Sequence, residues 1–141
     1  MKSDDLEALL LYRMTQAHET LREAQILLRE SAFRGTVNRS YYAMFYTLLA
    51  ILATKQLGTS RHSGALALFD REFVKAGLFP RELSRSIRLA FNLRQRYDYG
   101  EMVEIDRQIA EETLSNSQAF VGAIEAYLHT AGFLTQNADK A

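Results

Sequence analysis

Cysteine is absent from this 141-residue chain, proline occurs once, at Pro80, and neither charge predominates, with 17 basic and 17 acidic side chains. Without cysteine there are no disulfides, no thiolate nucleophile and no cysteine-held metal, which suits a reducing compartment. Balanced charge leaves the whole molecule no net field to draw it onto nucleic acid or anionic lipid, so any such attraction must be local. The start, "MKSDDLEALLLYRM", has acids where a signal peptide would carry a basic segment, and its apolar run is too short to span a bilayer. The expectation is a cytoplasmic protein with no membrane role.

What the chain does have is 48% hydrophobic and 24% charged residues, ordinary globular usage in a length that suits one domain. Its apolar residues recur at helical spacing and no segment reads as a strand. A first helix should start near Asp4, with Glu7 at capping-box spacing, and run through Leu6, Leu10, Ala17, Leu21, Ala24 and Leu28. A second, about residues 36–57, holds "NRSYYAMFYTLLAILATKQ" and should stop at Gly58; it is apolar enough to be central. The third, "HSGALALFDREFVKAG", carries Leu66, Phe69, Phe73 and Val74 on one side. Pro80 should open the fourth. That helix sets Leu83, Ile87, Ala90 and Phe91 on one stripe and Arg81, Arg85 and Arg88 on another. A fifth, about residues 104–131, shows Ile105, Ile109, Val121, Ile124 and Leu128 in register. The prediction is an all-α, up-and-down helical bundle of about five helices over residues 1–132, with 133–141 a flexible tail.

Polar groups interrupt these stripes at two places. Asn38 stands in line with Tyr42, Phe45, Leu49 and Leu52, where an unpartnered amide would cost on the order of 1–3 kcal/mol. Arg94 continues the Leu83, Ile87, Ala90 stripe, so its guanidinium points inward or into a cleft and demands an anion. Asp98, four residues on, sits at a helix C-terminus, against the negative end of the dipole, and Arg94 or Arg96 would compensate it. Two readings are open. In one, Arg94 and Asp98 form a structural ion pair while Tyr41, Tyr42, Tyr97 and Tyr99 bury rings and satisfy hydroxyls. In the other, Asn38, Arg94 and Asp98 floor a ligand or RNA site.

In order and spacing, "NRSYYAMFYTLLAILATKQLG", "RHSGALALFDREFVKAGLFP" and "LRQRYDYG" resemble the HEPN domain family, in its branch of small stand-alone prokaryotic proteins. The likeness covers roughly Leu6 to Leu128. It implies an up-and-down helical bundle that homodimerises, often encoded beside a minimal nucleotidyltransferase partner in toxin–antitoxin pairs. Many relatives are metal-independent ribonucleases whose motif is an arginine followed four to six residues later by histidine. Arg94 matches the arginine. The histidine is missing, because positions 98, 99 and 100 are Asp98, Tyr99 and Gly100.

That departure bears on the chemistry, since cleavage through a 2′-hydroxyl needs a proton acceptor and donor of usable pKa. Asp98 would be a poor acid at neutral pH and Tyr99 a poor base. His62, at the start of the third helix, could stand in if the fold brings it near Arg94. The catalytic candidates are therefore Arg94, Asp98 and His62. The ligand-binding candidates are Asn38, Tyr41, Tyr42, Arg94, Arg96, Tyr97 and Tyr99, with RNA or a nucleotide as ligand. His18 and His129 have no motif around them and read as packing or surface residues. No paired metal-ligand spacing and no glycine-rich phosphate loop is present, so neither a metal nor a cofactor is expected. The Arg81, Arg85, Arg88 stripe would meet phosphates, an acidic protein partner or only water.

Overall fold

The structure is a computed structural model, and it describes residues 3–98, 104–135 and 138, the side chains of 97 and 98 excepted. Among these residues there are five α-helices and no strand: α1 (Ser3–Arg29), α2 (Phe33–Ala53), α3 (His62–Phe69), α4 (Arg81–Asp98) and α5 (Arg107–Thr130). This is the all-α bundle that the periodicity predicts. None of the helices is long and apolar enough to cross a membrane.

The apolar run of residues 36–52 puts α2 in the middle, where it packs against α1, α3, α4 and α5. Val37, Tyr41, Met44, Leu48, Ile51 and Leu52 are almost wholly buried. In α5, Ser117 is fully buried and its hydroxyl donates to the Ser40 carbonyl at 2.7 Å, so a hydrogen bond joins α5 to the central helix. Asp106, with extended backbone, caps α5 by accepting from the Ile109 amide at 2.9 Å. The helix therefore begins three residues later than the stripe suggests.

Helix ends also differ from expectation at α2. It stops at Ala53, and the left-handed residue that closes it is Gln56 (φ 54°), two positions before Gly58. Leu57 N–H reaches the Leu52 carbonyl and Gln56 N–H the Ala53 carbonyl, the paired bonds of a Schellman closure. The α1 end closes in the same way at Ser31 (φ 58°), again without glycine. Gly77 and Gly132 hold the equivalent left-handed positions elsewhere.

The third segment is not one uniform helix. After α3 the chain widens into a π-helical turn over Asp70–Val74, with Lys75 N–H bonded to the Asp70 carbonyl. Phe69 and Phe73 both remain buried, their rings 6.1 Å apart. Asp70 is turned toward α4, where it accepts from Ser84 and pairs with Arg88. At the far end, Leu134 is buried and Thr135 donates through its amide and hydroxyl to the Glu7 carboxylate, both at 2.7 Å. Those residues of the expected tail are tied to α1.

Candidate functional site

Three elements meet at one aromatic cluster. From α2 come Tyr41, Tyr42 and Phe45, which helical spacing turns toward α3 and α4. His62 is the first residue of α3, and Phe91 and Arg94 come from α4. Tyr41 is fully buried, whereas Tyr42, His62, Phe91 and Arg94 are half-buried.

His62 lies flat on Phe45, ring centroids 4.0 Å apart, and its Nδ1 is 2.6 Å from the Tyr41 hydroxyl. Tyr42 and Phe91 complete the surround at 6.0 and 6.3 Å. The Arg94 guanidinium sits over two of these rings, 5.6 Å from the Tyr41 centroid and 5.0 Å from that of Tyr42. Such stacking suits arginine, whose planar charge is weakly hydrated. Through the shared Tyr42 ring, the fold brings His62 and Arg94 into one cluster although 31 residues separate them in the chain.

The electrostatics follow from that placement. Burial, and next the Arg94 charge, hold the His62 pKa below its ordinary 6.5, so the imidazole is neutral near pH 7. Burial pushes the Tyr41 phenol up, against the lowering effect of Arg94, so its proton stays on. The Tyr41 hydroxyl and His62 Nδ1 therefore share one hydrogen bond between two neutral groups. In the tautomer whose Nδ1–H donates to Tyr41, Nε2 keeps a lone pair, the form a general base requires.

A second cation borders the cluster. Arg39 lies 5.1 Å from the Tyr42 centroid, so two guanidiniums face one ring, and its donors reach the Asn38 amide oxygen at 3.0 and 3.1 Å. Glu23 pairs with Arg39 at 3.4 Å on the exposed side. Asn38 is thus half-buried beside the cluster, with Arg39 as its hydrogen-bond partner. The line Asn38, Tyr42, Leu49 is the half-buried edge of α2, and the inner line runs through Tyr41. Neighbour packing decides between the two, which the stripe alone does not resolve.

Of the other candidates, Arg96 is exposed, about 200° around α4 from Arg94. The side chains of Tyr97 and Asp98, and all of Tyr99, lie outside the described residues, and with them the helix end expected there; α4 is described as far as Asp98. His18 bonds Glu125 at 3.0 Å and His129 faces the Leu134 carbonyl at 3.1 Å, packing roles that leave both outside the cluster. Sequence reasoning missed Arg39, Phe45 and Phe91 as site residues. Spacing could have found them, because each lies three or four positions from a candidate on the same helix: Arg39 from Tyr42, Phe45 from Tyr41, Phe91 from Arg94.

Comparison with known proteins adds relatives of similar length. Residues 10–127 match the HEPN domain. The chain is 38% identical to a UPF0332 protein of Thermotoga maritima over 86% of its own length and 92% of the relative's. It is 33% identical to a protein of Methanocaldococcus jannaschii whose name marks it as a candidate toxin, over 89% and 85% of the two chains. A second such protein from the same organism is 33% identical over 79% and 83%.

Proposed function

This chain belongs to the HEPN domain family, and from that premise we propose that it is the toxin-like half of a two-component module with a minimal nucleotidyltransferase, directed at RNA through Arg94. The observation that carries this reading is the guanidinium stacked on Tyr41 and Tyr42 beside a neutral His62. A permanent cation held on ring faces is a preformed partner for phosphate, and the half-buried Tyr42 at the edge is the ring within a base's reach. The names of the M. jannaschii relatives support the toxin-like role.

Cleavage, where it occurs, follows from the same geometry. Arg94 steadies the developing charge on the phosphate, and in the tautomer whose Nδ1–H donates to Tyr41, His62 Nε2 accepts the 2′-hydroxyl proton as the 2′-oxygen bonds to phosphorus; the P–O5′ bond breaks and the 5′-oxygen takes a proton from water. His62 thereby does the work of the histidine that the chain lacks after Arg94. Asp98, Tyr97 and Tyr99 follow Arg94 closely enough in the chain to border the same site. The protein works in the cytoplasm and, as its family resemblance implies, as a homodimer.

Expression of the chain alone tests this. A growth defect relieved by Arg94→Ala and by His62→Phe is expected, together with loss of binding to a short RNA by the purified Arg94→Ala protein. No growth defect, and equal RNA binding by the two proteins, would count against it.

The placement of Arg39 and Arg94 about 5 Å from one tyrosine ring favours a second reading, a non-catalytic nucleotide or anion sensor. A ligand that binds only the folded state raises the melting temperature. A nucleotide panel that leaves it unmoved removes this alternative.

A further inference from the structure

Arg85 and Arg94 are nine residues apart on α4, about 180° around the helix. The face turned away from the aromatic cluster is therefore a separate surface. There α4 and the segment from Ala67 to Lys75 border a groove of about 950 Å³. Among the described residues five cations line it, Arg71 and Lys75 on one wall and Arg81, Arg85 and Arg88 on the other, against the single carboxylate of Asp70.

That carboxylate is already engaged by Arg88 and Ser84, and Arg71 pairs with Glu72 at 3.4 Å. Lys75, Arg81 and Arg85 are exposed and have no carboxylate partner among the described residues. In a chain whose formal charge sums to zero, this is a local excess of positive charge. The lining also includes the apolar side chains of Ala67, Val74 and Leu89, and Leu89 is 53% exposed. Among the described residues, no aromatic side chain lines the groove.

We infer that this groove docks an acidic amphipathic helix of a partner protein. Apolar side chains spaced three and four apart cover Leu89 and Val74, while flanking carboxylates meet Lys75, Arg81 and Arg85. Nucleic acid would answer the charge but leave Leu89 uncovered, and it would find no ring on which to stack a base. The inference stands apart from the Arg94 reading, because the two surfaces share no side chain.

A labelled helical peptide about four turns long, with leucines on one stripe and glutamates beside it, is titrated against the full chain by fluorescence anisotropy. Binding is expected, with affinity at least about tenfold lower for Arg81→Glu/Arg85→Glu and for Lys75→Glu, and unchanged for Arg94→Ala. A peptide carrying lysine for each glutamate should in turn bind the reversed variant better than the parent chain. Circular dichroism confirms that each variant is folded, and Lys75→Glu tests the opposite wall independently. The inference is overturned if no peptide binds, if replacing the leucines by alanine leaves affinity unchanged, or if oligouridine binds more tightly than the peptide through Arg81 and Arg85. RNA binding lost in Arg94→Ala alone would leave the groove standing, and peptide binding lost in the reversals alone would leave the Arg94 reading standing.

Discussion

Tyr41→Phe removes one oxygen from the centre of the candidate site and nothing else. The ring stays in place, still packed on Tyr42, Phe45, Phe91 and His62. What is lost is the 2.6 Å hydrogen bond to His62 Nδ1. A bond between neutral groups contributes about 0.5–1.5 kcal/mol net, because both partners would otherwise bond water. The larger penalty for an orphaned buried group does not apply in full, since the hydroxyl itself is deleted and His62 is half-buried. Melting should fall by about 2–4 °C for each kcal/mol in a chain of this size. Tyr41→Ala, which empties a fully buried site, should cost about 3–5 kcal/mol. The decisive assay is a double-mutant cycle in urea with His62→Phe, which keeps a ring on Phe45 but has no nitrogen. The coupling should be about 0.5–1.5 kcal/mol, and a value within about 0.3 kcal/mol of zero would refute the shared hydrogen bond.

Arg94→Met keeps an unbranched apolar stem and removes the charge, so His62 should titrate at higher pH when followed by NMR, and an unmoved titration would mean that the guanidinium is not beside it. The same depressed pKa makes stability depend on pH: as pH falls below about 6.5 the unfolded chain binds the His62 proton before the folded one does, so stability drops through that window, and urea midpoints for His62→Phe should show a flatter profile. Gln56→Gly frees a left-handed position from its side-chain penalty and should raise unfolding free energy by about 0.5–1 kcal/mol, whereas a loss would show that the Gln56 side chain is needed there. Ser117→Ala deletes the buried bond to Ser40 while leaving that carbonyl in its own helix, so a loss of about 1 kcal/mol is expected in the same assay.

The helices, the central place of α2 and the inward side of α4 were legible in the order of residues, because amphipathic periodicity is a local signal that each segment carries by itself. Arg94 was legible as an anomaly for the same reason, a charge on an apolar stripe. Helix ends were less so: Gln56 closes α2 where Gly58 seemed better suited, since closure depends on which amide can return to Leu52. The sequence could show that His62 was an available imidazole, yet its place against Phe45 and Tyr41 depends on how α3 lies across α2. Only the tertiary structure decided that Tyr41 is enclosed while Tyr42 stays at the edge between Arg39 and Arg94. Spacing along one helix fixes a residue's direction, but its neighbours, and through them its charge state, come from other helices whose packing no single segment encodes.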